Sequence, residues 1–308
     1  MQAIMQASYQ GIDALKLITQ SVASLNPMAA RVETRYTPVM PYDILTETGQ
    51  LQRLRPVKLP RVVGYGFGGI VREVGRLRPS RLLNQPVIGI HLSGSHQEQI
   101  LSMLPPFLFT VPAGVSLADA TTLIGGADAA YFALKQSRLQ PNETVLVTGA
   151  NGSVGTYLLQ LLHLFGYHSL AVGHTSRHDL LTTLGAEQIV DYDRPLVQQK
   201  VNFAAVSHVV DLAGSPALLD RLTAKLGPVR ILSLALQDYR PHPHQTFTFA
   251  SGAITPRDYR WLLTQLAEQN LRAIVQEKLP FTAIKTAQHH LLDHHAAGRI
   301  LVTYNQEV

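Results

Sequence analysis

The stretch at residues 144–155, TVLVTGANGSVG, constrains this chain more than any other. Thr144 to Thr148 have the β-branched, apolar composition of a strand and run straight into a turn carrying Gly149, Gly152 and Gly155. An apolar helix is expected next, with Val154, Leu158, Leu161, Leu162 and Phe165 spaced to cover a sheet. Read from Ala150, the spacing is A-x-G-x-x-G, the dinucleotide fingerprint with Ala at the first glycine position. Gly152 lets the backbone come close to a pyrophosphate, Gly155 lets the helix press on the strand, and free amides at the helix start face the anion. Ala150, Asn151, Gly152, Ser153 and Val154 are therefore the candidate phosphate cradle. A turn that merely needs glycines is the plainer alternative, and the strand, turn and helix in the required order speak against it.

From Thr144 onward strands and helices alternate, as they do in a parallel sheet with right-handed crossovers. Further strands are expected at 169–172, 188–190, 208–211, 230–234 and 247–250. Gly185 stops a short helix over 179–184, and Ser215 with Pro216 opens another over 217–226. Thr255 and Pro256 open a third, with Asp258 in its first turn. The first ~110 residues differ, because short β-branched stretches among frequent Pro and Gly indicate an antiparallel, barrel-like domain. After Ala273 come a strand candidate, a helix over 283–294 and a last strand over 300–304. Periodicity alone does not assign this tail to either domain.

At 308 residues the chain is long enough for two cores, and 46% hydrophobic with 15% charged residues describes a globular protein. No run of ~18 apolar residues is present, so no membrane span is expected. The opening MQAIMQASYQGIDALKL lacks a basic region followed by an apolar core, so no secretory signal is read there. Zero cysteines exclude disulfides, thiolate nucleophiles and cysteine-ligated metals, and a cytoplasmic location is the expectation. The net charge of +5 is uneven: Arg53, Arg55, Lys58, Arg61, Arg72, Arg76, Arg78 and Arg81 cluster with Glu73 as their acidic neighbour. Without interleaved aromatic platforms, a solvated basic face is preferred to a nucleic-acid surface.

The end of the second strand of the fingerprint domain bears on cofactor choice. NAD-preferring domains place a carboxylate there to accept from the ribose 2′-hydroxyl. Here Ala171-Val172-Gly173 is followed by His174-Thr175-Ser176-Arg177-His178, with no carboxylate. Ser176 can donate a hydrogen bond and Arg177 offers a planar fork suited to phosphate, so NADPH is the expected cofactor.

With these residues in view, the chain resembles the zinc-independent quinone oxidoreductases, also called zeta-crystallin-like, of the medium-chain dehydrogenase/reductase superfamily. The resemblance runs through the opening segment, Pro41-Tyr42-Asp43, PRVVGYGFGGIVREVG at 60–75, VTGANGSVG, LGAEQIVDY at 184–192 and the closing AAGRILV. It implies an α/β fold: a GroES-like β-barrel-type catalytic domain formed by residues 1–115 and 273–308, and a Rossmann doubly wound parallel sheet over 116–272. It further implies a cleft holding nicotinamide and substrate, and a homodimer paired through the last Rossmann strands. Tyr192 matches a position lying against the adenosine phosphate, Gly173 at the end of the second strand counts among the cofactor-binding candidates, and Phe249 matches a position lining the nicotinamide pocket, with a core-strand role as its alternative. Zinc-dependent relatives carry Gly-His-Glu where this chain has Gly64-Tyr65-Gly66, so no zinc is expected. The family's usual Asn, Glu and Thr are replaced by Met40, Gly66 and Ala129.

The chemistry implied is hydride transfer from NADPH to a quinone or an α,β-unsaturated carbonyl, with Tyr42 or Tyr65 donating to the acceptor oxygen. For each tyrosine a packing role is the alternative. Asp128, beside Gly125-Gly126, reads first as a helix cap. His242, His244, His289, His290, His294 and His295 form the densest histidine clusters, read as solvated rather than metal-binding. A second function class stays open: an NADPH-binding sensor, or a nucleic-acid-binding protein with little turnover.

Overall fold

The computed structural model describes residues 1–103, 107–292 and 297–304. Short strands come first: β1 (Gln2–Gln6), β2 (Lys16–Thr19) and β3 (Ala30–Pro38), then helix α1 (Pro41–Glu47), β4 (Arg61–Val62) and β5 (Gly66–Val74). After β6 (Pro86–Ile90), β7 (Gln99–Ser102) and β8 (Leu108–Thr110) come α2 (Leu117–Thr121) and α3 (Asp128–Ser137). Alternation then sets in with β9 (Thr144–Thr148), α4 (Ser153–Leu164), β10 (His168–Gly173), α5 (His178–Thr183) and β11 (Gln188–Asp191). It continues through β12 (Val206–Asp211), α6 (Pro216–Thr223), β13 (Arg230–Ser233) and β14 (Thr246–Phe249). The chain closes with α7 (Pro256–Ala267), β15 (Val275–Pro280), α8 (Ile284–Leu292) and β16 (Arg299–Thr303).

The chain divides into two compact units, one of Met1–Gly125, Pro256–Ala267 and Val275–Val308, the other of Gly126–Thr255 and Glu268–Ile274. In the second unit a parallel sheet runs in the order β11-β10-β9-β12-β13-β14. Its core joins Leu146, Leu170, Val190, Val209 and Ile231 of the sheet to Leu219 and Leu222 of α6. Each such side chain contributes roughly 1.5–3 kcal/mol on burial. On α4, Leu158, Leu161 and Leu162 are buried as their spacing requires. Phe165 is not: its amide bonds back to the Leu161 carbonyl as the helix ends, leaving the ring 46% exposed and stacked on Tyr131.

In the first unit a larger sheet runs β15-β16-β3-β5-β6-β8, with β7 also paired to β3, and a smaller sheet runs β2-β1-β4. All pairs are antiparallel except β15 with β16. The tail settles here, because β16 pairs with β3 through Leu301 and Pro38, and the buried Arg299 donates from Nη1 to the Val39 carbonyl at 2.9 Å. Ile300 and Val302 of β16 pack with Ile4, Val39 and Ile284. Helix α7 also groups with this unit. Its Tyr259 stacks on Phe109 of β8 with ring centroids 4.7 Å apart. The α/β class expected, a GroES-like barrel-type unit together with a doubly wound parallel sheet, is the one observed.

Candidate functional site

Open parallel sheets bind ligands at the carboxyl ends of their strands, where the strand order reverses. Here the reversal lies at β9, with β10 on one side and β12 on the other. The 149–155 turn leaves β9 at that end. Gly149 adopts the left-handed conformation, φ 64°, and its carbonyl accepts from the Gly152 amide at 3.0 Å. Gly152 caps α4 with φ −69° and ψ 170°. A Cβ placed on Gly152 would meet the Gly149 oxygen at 3.3 Å and otherwise open space. A Cβ on Gly155 would lie 2.6 Å from the Ala150 Cα, so this glycine is where the helix presses on the turn. The two glycines thus do separate jobs, one keeping a space clear and the other closing a packing contact.

The polar groups around that turn fit a dinucleotide: the Ser153 and Tyr192 hydroxyls can donate to a phosphate, and the Asn151 amide oxygen can accept from a ribose hydroxyl. Asn151 Oδ1, Ser153 Oγ and Tyr192 Oη are buried without a hydrogen-bond partner. Leaving such a group unpaired costs ~1–3 kcal/mol, a cost that a polar ligand removes. The first-turn amides of α4, including those of Ser153 and Val154, have no intrahelical partners and carry the positive end of the helix dipole.

Residues from the next two strands reach the same edge. Gly173 pairs with Asp191 in register, and the Tyr192 amide donates to the Gly173 carbonyl at 3.3 Å. A Cβ on Gly173 would lie 2.8 Å from Asn151 Oδ1, which places the Asn151 side chain against the end of β10. Ser176 and Arg177 follow in the single 3-10 turn Thr175–Arg177, Ser176 exposed and Arg177 half-buried. Burial pushes the Tyr192 phenol up, and the carboxylates of Asp193 and Asp191 push it further. Phe249 does not join this group: it ends β14, half-buried, beside Ser233 and three strands away from β9.

Sequence reasoning missed the acids at this edge. Asp191 is buried and accepts from the Thr175 hydroxyl and, at 2.9 Å, from the Asp193 amide. Asp193 Oδ2 lies 3.1 Å from His174 Nε2. The end of β10 has no carboxylate of its own, yet its pairing with β11 brings one in register. It also missed Asp211, fully buried, whose Oδ1 accepts from the Thr148 hydroxyl at 2.6 Å and whose Oδ2 accepts from the Ser233 hydroxyl at 2.7 Å. The signal was available: β9, β12 and β13 end in Thr148, Asp211 and Ser233, three small polar residues closing apolar strands.

In the first unit the structure brings Tyr42 and Tyr65 together, ring centroids 6.1 Å apart and tilted by 53°. Arg55 Nη1 donates to the Tyr42 hydroxyl at 3.0 Å. Met40 is buried where the family carries Asn, and its Sδ occupies the space a Cβ on Gly125 would need. A Cβ on Gly66 would lie 2.5 Å from Ile124 Cγ2 and 3.0 Å from Pro38 Cγ, so a Glu has no room there. Asp43 and Glu47 face inward from α1, and burial, then Asp43, raise the Glu47 carboxyl to about 7 against the lowering hydrogen bond from Gln288.

The histidine clusters are divided among separate acids. His242 lies 3.1 Å from Asp220, His289 3.1 Å from Asp13 and His290 2.7 Å from Glu277. Among the described residues no three His, Asp or Glu side chains converge as a metal site, and His294 and His295 lie outside those residues. Of the basic cluster, Arg72 pairs with Glu33 at 2.6 Å, while the neighbouring Glu73 pairs with Arg31 outside it at 2.8 Å. Among the described residues no helix is long and apolar enough to cross a membrane.

Comparison with known proteins follows the same lines. Residues 184–302 match a family described as zinc-binding dehydrogenase. The quinone oxidoreductase-like protein 2 of Rattus norvegicus is 30% identical over 227 residues, covering 71% of this chain, and the chain spans 64% of that relative's length. The 2-methylene-furan-3-one reductase of Solanum lycopersicum is 24% identical over 98% of this chain and 79% of its own. The fold resembles that of the Escherichia coli quinone oxidoreductase complexed with NADPH, with a TM-score of 0.85 at 19% identity, covering 99% of this chain and 100% of that one. Together these matches support the quinone oxidoreductase family of the medium-chain dehydrogenase/reductase superfamily.

Proposed function

We propose that this chain is an NADPH-dependent reductase that delivers hydride to a quinone or an α,β-unsaturated carbonyl without a metal ion. The observation that carries the reading is the space kept clear at Gly152, together with the unpartnered, buried Asn151 Oδ1, Ser153 Oγ and Tyr192 Oη. Relatives support it, since one is named a 2-methylene-furan-3-one reductase and a structural neighbour was solved with NADPH. A nicotinamide held there supplies hydride from its C4. The backbone at Ala150, Gly152 and Val154 and the start of α4 hold the pyrophosphate, while Gly173, Ser176, Arg177 and Tyr192 receive the adenosine phosphate. Phe249 lines the nicotinamide pocket.

Tyr42 is the favoured donor to the acceptor oxygen. Its hydroxyl already accepts from Arg55, which leaves the phenolic proton to be given away. Tyr65 beside it is the second candidate. Alignment of donor and acceptor carbons accounts for ~7–11 kcal/mol of barrier reduction, and a donor on the acceptor oxygen adds to it. Metal independence is supported by the donor chemistry: zero cysteines, and Gly64-Tyr65-Gly66 in place of a Gly-His-Glu. A cytoplasmic homodimer completes the reading.

Met40, Gly66 and Ala129 favour a second reading, a nicotinamide-binding sensor or nucleic-acid-binding protein with little turnover, because none of these residues can polarise a substrate. Titrating NADPH by fluorescence and following its consumption with a panel of quinones and enones separates the two. Consumption proportional to enzyme supports the reductase. Saturable binding with no consumption supports the sensor, and absence of binding overturns both.

A further inference from the structure

We infer that His174 sets the preference of this site for a 2′-phosphorylated nicotinamide by masking the carboxylate of Asp193, an inference that rests on the proposed function. A carboxylate beside the end of the second Rossmann strand accepts from a ribose 2′-hydroxyl and repels a 2′-phosphate. Strand β10 has none, but in-register pairing of Gly173 with Asp191 brings the Asp191-Tyr192-Asp193 segment to the same place. Asp191 is spent internally, since its carboxylate is buried and takes the Thr175 hydroxyl and the Asp193 amide. Asp193 is different. Its side chain is half exposed, so its charge would face a ligand bound at this edge.

The imidazole of His174 is built to meet that charge. Its Nδ1 accepts from the Ser176 amide at 3.1 Å, which fixes the ring's proton on Nε2. Nε2 lies 3.1 Å from Asp193 Oδ2 and donates to it. The Ser176 hydroxyl sits 2.8 Å from Nδ1 and donates to it; it turns away from the ring to reach a phosphate, while the amide bond to Nδ1 keeps the residue in place. The Tyr192 ring lies 6.0 Å away, tilted by 53°, and backs the imidazole. One side chain therefore holds Ser176 in place and occupies the acid that would otherwise select against phosphate.

The test compares His174→Leu, Asp193→Asn, the double variant and His174→Gln, with dissociation constants for NADPH and NADH measured by calorimetric titration. His174→Leu lowers the NADPH-over-NADH preference about fivefold, the scale of a half-exposed charge pair. Adding Asp193→Asn restores it, and His174→Gln, which keeps a donor toward Asp193, retains most of it. The loss shrinks at about 0.5 M salt because the charges are screened. Equal weakening of both nucleotides in His174→Leu would overturn the inference, reducing His174 to a turn cap. So would an Asp193→Asn effect of the same size with and without His174. Wild-type protein binding both nucleotides equally overturns it while leaving the nicotinamide reading intact, and wild-type protein binding neither overturns the proposed function with it.

Discussion

The hydroxyl of Thr148 donates to Asp211 across the ends of β9 and β12 at 2.6 Å, and its oxygen accepts from the Leu212 and Ala213 amides at 3.1 and 3.2 Å. Ser233 extends the link on the far side of Asp211 and accepts from the Ala235 and Leu236 amides at 3.1 and 2.8 Å. The loops leaving these strands are therefore tied to one another at the edge where a cofactor would lie. Asp211→Ala removes the shared acceptor from two buried hydroxyls and should destabilise the protein by about 3 kcal/mol. Asp211→Asn, which keeps one acceptor, should cost less. Urea midpoints of the two variants check both statements.

Gly152 and Gly155 should separate binding from folding. Gly152→Val fills a space bounded by one chain atom within 4 Å, so the melting temperature should stay near wild type while NADPH affinity falls at least ~10-fold. Gly155→Ala forces a Cβ against Ala150 and should instead lower stability by about 1–3 kcal/mol. Thermal melts and NADPH titrations on both variants decide it. An unchanged affinity in Gly152→Val would remove the fingerprint assignment.

How far the sequence disclosed this arrangement depends on the range of the interaction. Thr144–Thr148 was legible to the residue, because β-branched composition meeting a glycine turn is a local signal. The halt of α5 before Gly185, at φ 101°, was local in the same way. Asp193 was hidden, because its place depends on the register of β11 against β10 rather than on its own neighbours. Periodicity left the tail unassigned for the same reason, and the family resemblance alone suggested its place. Arg299 bonds to a carbonyl 260 residues away, and no periodicity announces such a partner. Gly66 and Met40 read in sequence only as replacements of the family's usual residues; in the fold both sites are filled, by Ile124 and Pro38 in one case and by the Met40 thioether in the other.

Glu47 predicts how stability changes with pH. Its carboxyl is raised from 4.5 to about 7, chiefly by burial and then by Asp43. Between those values the folded state binds the proton and the unfolded state does not, so stability falls as pH rises from 4.5 to 7 and levels off above. The loss is about 3 kcal/mol. Glu47→Gln keeps an acceptor for Gln288, which bonds to Glu47 Oε1 at 2.8 Å, and removes the titration. That variant should be more stable than wild type at pH 8 and show a flatter profile. Denaturant midpoints across the pH range that matched the wild-type slope would contradict this.

Arg177 should carry most of the discrimination between cofactors. Wild-type protein should bind NADPH at least ~10-fold more tightly than NADH, a difference of ~1.4 kcal/mol. Arg177→Ala should erase most of that by weakening NADPH alone, because the planar fork meets the phosphate and not the ribose hydroxyl. Equal wild-type affinities in titrations would show the reading wrong.

Strand β14 ends the parallel sheet and pairs with β13 on one side. Its open edge, with alternating half-buried phenylalanines at 247 and 249, is poorly suited to solvent exposure. Two copies pairing there make an isologous contact, so light scattering at micromolar concentration should give twice the chain mass of 33.8 kDa. A single-chain mass would exclude the dimer.

The position of β16 between β15 and β3 fixes an order of events during synthesis. The parallel sheet draws all six of its strands from Gly126–Thr255 and can form once that stretch has left the ribosome. The larger sheet cannot, because its central strand β3 waits for residues 299–303 to cover one edge. At ~5–20 residues per second that wait lasts on the order of 10–50 s. During it Tyr36, Thr37 and Pro38 of β3 lack their partners and Val39 lacks its cover from Ile300, so the half of the chain made first is the half finished last.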